Sequence, residues 1–297
     1  MIIGGDKEPV IENIRQAVAE GRYNSKVEVD DPNLSEQERI DSVKNYLKKR
    51  NSLGYRFCNV CARALVDTAT RFINHNTKVV GLENIKGMKC GAIVTSNHFN
   101  PLDNTAVRLT MNKVGYKRLY MVSQDTNLAM PGWIGFIMNH EDIIPIMTSK
   151  NYPGDYFGKV IENTLKKNNA ILIYPEQEMW FNYRKPRPPK RGAYYYAAKY
   201  HVPVISCFVE VRDRKKKDNE QFYKVRYIMH VLKPIYPDPK KTVRQNSIDM
   251  MNQDYAQKVE AYERAYGKKL TYDFEEDDIA GWINIEEKAK EQQAQGE

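Results

Sequence analysis

The stretch Gly91-Ala92-Ile93-Val94-Thr95-Ser96-Asn97-His98-Phe99-Asn100-Pro101-Leu102-Asp103 decides how the rest of the chain is read. A short apolar run rich in β-branched residues predicts a buried strand, and Asn100-Pro101 predicts the turn that ends it. His98 then stands just past a strand end, the edge at which ligands bind in α/β sheets. Four residues separate it from Asp103, and a turn through Asn100-Pro101 folds the carboxylate back toward the imidazole. A carboxylate on one ring nitrogen fixes the tautomer and leaves the other nitrogen free to take a proton from a hydroxyl. Of the five histidines only His98 has this spacing, since Val80, Pro145, Ser206 and Ile235 follow the others at the fifth position. Spacing alone also fits a histidine that merely packs or caps a turn.

The strand-and-turn pattern extends in both directions. Downstream of residue 76, segments 78–82, 91–95, 119–123, 142–146, 170–174, 202–211 and 223–232 read as strands, with helices at 103–112, 152–167 and 191–200 between them. This predicts an α/β domain over 77–240 with a mixed, mostly parallel sheet flanked by helices, because the last two strands have no such helix between them. Upstream, residues 1–76 predict a helical N-terminal region. A helix spans 9–21, and Ser35-Glu36-Gln37-Glu38 is a capping box that starts another. From there Ile40, Val43, Leu47, Leu53, Phe57, Val60, Cys61, Leu65, Ala69, Phe72 and Ile73 form an apolar stripe that Gly54 divides between two helices. A stripe of this kind packs on the protein's own core or, with Lys44, Lys48, Lys49, Arg50, Arg56, Arg63 and Arg71 beside it, lies on a bilayer. Residues 241–297 predict a C-terminal helical extension, with a helix at 246–266.

Composition narrows the function classes. A hydrophobic content of 41% and a charged content of 28% over 297 residues describe a folded chain with a sizeable core. The 46 Lys and Arg outnumber the 38 Asp and Glu for a net charge of +8, which favours acidic partners such as anionic lipid or an acidic carrier protein. No helix-turn-helix, zinc-finger or RNA-binding sheet signature is present, so nucleic acid is not expected as a partner. Four scattered cysteines make no disulfide framework and fit a reducing cytoplasm, and Cys58-Asn59-Val60-Cys61 has no second pair with which to hold a metal. No signal-like start and no apolar run of spanning length occur, so any membrane contact is expected to be peripheral.

A second strand end, Ile171-Leu172-Ile173-Tyr174-Pro175-Glu176-Gln177-Glu178-Met179-Trp180, precedes Arg184-Lys185-Pro186-Arg187-Pro188-Pro189-Lys190-Arg191. The three prolines predict a stiff, exposed, basic loop, either simply solvated or an anion-binding rim. Four blocks now stand in one order: Asn97-His98-x4-Asp103, the run ending Ile143-Ile144-Pro145-Ile146, Tyr174-Pro175-Glu176, and Lys190-Arg191-Gly192-Ala193 with Val202-Pro203-Val204-Ile205. Together they resemble the glycerolipid acyltransferase superfamily, best known from the 1-acylglycerol-3-phosphate acyltransferases, over roughly residues 77 to 235.

The resemblance implies phospholipid biosynthesis by transfer of a fatty acyl group from a thioester to a hydroxyl of a lysophospholipid or related lipid. The donor would be acyl carrier protein or coenzyme A, and no bound cofactor or metal is implied. His98 would be the general base, Asp103 its orienter, and Glu176 would help shape the acceptor pocket, with Asn97 and Gln177 beside them. The third block of the family reads Glu-Gly-Thr-Arg and the second ends in arginine. Here Gln177, Glu178 and Met179 follow Glu176, and Met147-Thr148-Ser149-Lys150 follows Ile146. Both phosphate-binding arginines are therefore missing. Either Lys150, Arg184, Lys185 and Arg187 replace them, with the guanidinium groups better suited to bidentate phosphate contact, or the acceptor carries no phosphomonoester. A non-catalytic lipid-binding protein and a thioester hydrolase are the competing readings. The enzyme is expected to be cytoplasmic, peripheral on the inner face of the membrane.

Overall fold

The computed structural model describes residues 6–29, 34–147 and 156–283. A seven-stranded sheet forms its centre, built from β1 (Lys78–Val80), β2 (Ala92–Thr95), β3 (Leu119–Gln124), β4 (Ile143–Ile146), β5 (Ala170–Leu172), β6 (Val204–Lys217) and β7 (Tyr223–Val231), in the spatial order β1-β7-β6-β2-β5-β3-β4. Every neighbouring pair is parallel except β6 with β7. The chain is thus α/β with a mixed, mostly parallel sheet. The one antiparallel pair is the one that lacks an intervening helix, since a parallel connection needs a crossover.

The helices are α1 (Glu8–Ala19), α2 (Glu36–Lys49), α3 (Leu53–Ile73), α4 (Asn104–Lys113), α5 (Gly132–His140), α6 (Tyr156–Lys166), α7 (Gly192–Lys199) and α8 (Val243–Tyr266). Strand β2 is buried at every residue, which is why it reads as a continuous apolar run and not as an alternation. On one face Val94 packs with Ala106, Val107 and Met111 of α4; on the other Ile93 packs with Ile161 of α6 and Tyr194 and Ala197 of α7. The start of β2 is crowded as well: a Cβ on Gly91 would sit 2.3 Å from the Leu165 carbonyl oxygen, so the close approach of α6 requires glycine there.

The N-terminal helices do not form one unit. Helix α1 packs through Val10, Ile11 and Ile14 on Trp180, Phe181 and Ile279, far along the chain. Helix α2 is held by its Ser35 capping box and by Arg39, whose guanidinium lies 2.8 Å from Asp125 after β3. The expected packing of the apolar stripe on the core holds for Val43 and in part for Leu47 of α2, and fails on α3. There Leu53, Phe57 and Phe72 are 81%, 72% and 83% exposed, while Tyr55, Asn59, Ala62 and Thr70 face inward. The reason is chemical. Helix α3 is fastened by polar groups, with Asn59 donating to the His140 carbonyl at 2.6 Å and Arg63 donating to the Lys117 carbonyl at 3.1 Å, so its apolar arc is left outside. No helix among the described residues is long and apolar enough to cross a membrane.

Helix α5 was not expected from the sequence. Its Gly132-Trp-Ile-Gly-Phe-Ile-Met run has no 3.6-residue alternation of polar and apolar positions to reveal it. The C-terminal helix α8, in contrast, is integral to the sheet's surroundings: Asp254, fully buried, accepts from Thr95 Oγ1 at 3.0 Å at the last residue of β2.

Candidate active site

Past Thr95 the chain is pinned before it reaches His98. The Asn97 amide donates to the Val209 carbonyl at 3.0 Å and accepts the Val209 N–H at 2.8 Å, splicing the strand end to β6. Both polar ends of Asn97 are thereby used on backbone, which makes it a support of the site rather than the ligand contact expected of it.

The turn then does what the spacing predicted. Asn100 Oδ1 accepts the Leu102 N–H at 3.0 Å, an Asx-type closure around Pro101, and Asp103 comes back under His98 at the head of α4. Asp103 Oδ2 receives His98 Nδ1 at 2.8 Å and the Phe99 and Asn100 N–H groups at 2.9 and 3.2 Å. A carboxylate with backbone donors already on it accepts from the ring, so the neutral imidazole carries its proton on Nδ1 and keeps the Nε2 lone pair. The His98 side chain is 21% exposed while Asp103 is 2% exposed, and among the described residues Nε2 has no hydrogen-bond partner.

Tyr174 completes the arrangement, and the sequence reading passed over it. Its hydroxyl donates to the other Asp103 oxygen, and its ring stacks on the imidazole with centroids 3.9 Å apart and planes 12° from parallel. Burial, followed by the neighbouring Asp103, pushes the Tyr174 phenol well above its ordinary range, so it stays a donor. The available signal was a tyrosine, with a hydroxyl to donate, immediately before the Pro175-Glu176 of the third block.

Glu176 and Arg187 grip the His98 peptide. Glu176 Oε2 accepts the His98 N–H at 3.1 Å, and Arg187 Nη2 lies 2.9 Å from the same oxygen while also donating to the His98 carbonyl at 3.3 Å. Arg187 Nη1 donates to the Tyr23 carbonyl at 2.9 Å, and its guanidinium lies over Trp180 with 4.5 Å to the ring centroid. The Trp180 backbone N–H also donates to the His98 carbonyl at 3.1 Å. Both members of the pair are buried, and burial draws Arg187 below the usual guanidinium range even as Glu176 opposes that shift. Glu176 thus braces the His98 peptide from beneath; the resemblance implied a part in the acceptor pocket.

The basic loop corrects an expectation. Lys185 and Arg187 are buried rather than exposed; Lys185 Nζ lies 2.7 Å from Asp278, and Arg184 Nη2 lies 2.5 Å from Asp213. Only Lys190 and Arg191 at its end are exposed. Glu176 and Asp278 come from separate segments and each turns one cation inward, because a buried charge is tolerable only when paired, whereas Arg184 pairs with the exposed Asp213. Gln177 is exposed in the left-handed region at φ 71°, so the turn keeps the backbone that a glycine at this position of the family's third block adopts freely. Lys150 lies outside the described residues. Cys207, buried near the same strand end, has its thiol pushed up to about 12 by that burial and offers no thiolate to compete as a nucleophile. A cleft of about 300 Å³ between α2, α3 and α5, lined by Tyr46, Tyr55, Phe136 and His140, shares no residue with the His98 constellation.

Comparison with known proteins gives three findings. The family model described as Acyltransferase matches residues 76–210. Among solved structures, the chain is similar to the 1-acyl-sn-glycerophosphate (LPA) acyltransferase PlsC from Thermotoga maritima, with 14% identity, a TM-score of 0.47, and coverage of 78% of this chain and 92% of that one. No curated protein matches the chain. The matched segment runs from just before β1 into β6 and contains His98, Asp103, Tyr174, Glu176 and Arg187. Residues 76–210 thus match an acyltransferase domain, and that segment holds the whole His98 constellation.

Proposed function

We propose that the protein transfers a fatty acyl group from the thioester of an acyl carrier protein or coenzyme A to a hydroxyl of a lysophospholipid or related lipid. His98 Nε2 takes the hydroxyl proton as the oxygen attacks the thioester carbonyl carbon. The tetrahedral intermediate collapses, the C–S bond breaks, and the imidazolium returns the proton to the departing thiolate, leaving an ester and a free thiol. A positioned base of this kind contributes roughly 10²- to 10⁴-fold. The observation that carries the reading is the 2.8 Å bond from Asp103 to Nδ1 beneath a ring whose Nε2 is open. The same geometry argues against a non-catalytic lipid binder, for which neither the carboxylate under the ring nor the stacked Tyr174 has a use.

The acceptor is better read as lacking a phosphomonoester. Arg184, Lys185 and Arg187 each already hold a carboxylate, and freeing Arg187 would also release the His98 peptide. Contact with an anionic membrane surface is peripheral, on the cytoplasmic side, through the exposed arc of α3. Phe57 and Phe72 supply apolar area there and the neighbouring arginines supply charge. Incubating the purified protein with labelled acyl thioester and a total lipid extract tests the whole reading. Labelled ester is expected, with a non-phosphorylated or phosphodiester lysolipid preferred to lysophosphatidate. Free fatty acid alone would make the protein a hydrolase, and no turnover would leave it a binder.

A further inference from the structure

Strand β6 does not stop where its neighbour does. Val204 to Ser206 pair in parallel with β2 up to Thr95, after which β6 runs on through Lys217 in the direction β2 takes toward His98. At about 3.3 Å per residue the extra length carries the β6–β7 hairpin on the order of 30 Å past the catalytic edge. Its base flanks the site: Val209 is bonded to Asn97, and Tyr227 meets the Phe99 ring with centroids 5.4 Å apart. Beyond that base stand Arg214, Lys215 and Lys216 on β6 and Lys224 and Arg226 on β7. Among the described residues none of these five has a carboxylate partner, although Asp218 and Glu220 lie at the turn.

Arg212 and Arg226 are directly opposite in register, and like charges so placed repel. Glu210 relieves Arg212 but not Arg226, and its other oxygen lies 2.7 Å from His230. The arm therefore presents a net positive field beside the mouth of the site. It also lacks exposed large apolar side chains, in contrast to α3 and α5, which bear Leu53, Phe57, Phe72 and Trp133. Interfacial lipid binding requires buried apolar area as well as charge. A charged surface without apolar area suits a soluble polyanion, which it steers and orients. Cations spread along both strands of the hairpin, whose end is anchored by Phe222 against Phe181 and Trp282, also exceed what the compact phosphates of a nucleotide thioester can engage.

Resting on the acyl-transfer reading above, we propose that the β6–β7 hairpin is the docking surface for an acidic acyl carrier protein, which delivers its thioester to His98 from that side. The test compares one acyl chain on two donors, acyl carrier protein and coenzyme A, in wild type and in a variant combining Lys215→Glu, Lys216→Glu and Lys224→Glu. For the carrier-protein donor kcat/KM should fall by about tenfold or more, through KM, and wild-type kcat/KM should fall toward the variant's value as salt is raised. For the coenzyme A donor both proteins should perform alike, which also shows that the variant is folded. An unchanged carrier-protein rate, an equal fall with both donors, or a variant whose main defect is binding to anionic vesicles would each overturn the proposal. If wild type uses neither donor, the acyl-transfer reading fails by itself. The hairpin is then judged by titration with holo-acyl carrier protein, where binding lost in the variant supports docking and no binding to wild type contradicts it.

Discussion

Two buried carboxylates serve the end of β2, and they differ in one respect. Asp254, fully buried, receives Thr95 Oγ1, the Tyr194 hydroxyl and Lys258 Nζ, the last at 2.8 Å, and Lys258 is itself buried. Asp103, 2% exposed, receives the Tyr174 hydroxyl, two backbone N–H groups and His98 Nδ1. Each is surrounded by donors and each takes a tyrosine. The shell of Asp254 closes on an ammonium with nothing beyond it, so that carboxylate can only hold α8, α7 and β2 together. The shell of Asp103 ends on a ring that reaches solvent with a second nitrogen. Burial and ion pairing alone therefore do not tell the two carboxylates apart; a donor with a free far side does.

Mutations at the two carboxylates should separate accordingly. His98→Ala is expected to lower turnover by at least about 10²-fold with the melting temperature unchanged. Asp103→Asn should come close to it, because an amide no longer enforces a proton on Nδ1. Steady-state rates beside thermal melts check both, and a rate loss that merely tracks unfolding would erase the distinction. Asp254→Asn should do the reverse: leaving Lys258 buried without its partner costs roughly 3–5 kcal/mol in denaturant unfolding, while turnover per folded molecule persists.

The comparison sharpens at Tyr174 and away from the site. Polar substitution of Phe57 and Phe72 should weaken binding to anionic vesicles by about tenfold or more, since each buried apolar side chain is worth about 1.5–3 kcal/mol, with turnover of a soluble acceptor unaffected. Tyr174→Phe keeps the stacked ring and removes one donor to Asp103, a loss of about 1.5–3 kcal/mol if the bond is fully made. With one group fewer to position the carboxylate under Nδ1, kcat should fall at unchanged KM. Tyr174→Leu, which also loses the stack, should lower kcat further at unchanged KM. Smallest of all, Gln177→Gly should stabilise the fold by about 1 kcal/mol or less by relieving its left-handed backbone.

What the sequence disclosed depended on how local the cause was. The central strands β2 and β5 were legible because burial on both faces leaves continuous apolar runs, and the turn from His98 to Asp103 because Asn100-Pro101 acts within a few residues. The fate of Arg184, Lys185 and Arg187 was not, because Asp213, Asp278 and Glu176 reach them from elsewhere in the chain. Periodicity revealed that α3 has an apolar arc but not that its polar side would be the one to find neighbours in α4 and α5. Helix α5 was hidden by an excess of apolar residues, and Tyr174 by the fact that its role exists only once β5 and β2 lie side by side.

The central claim is that the open nitrogen of His98, held by Asp103, removes the acceptor's proton. The most direct measurement is the initial rate of labelled ester formation, at saturating acyl thioester with a total lipid extract, for wild type and His98→Ala of matched folded concentration. Ester formed by wild type and reduced by at least about 10²-fold in the variant is the expected result. Equal ester from both proteins would contradict it.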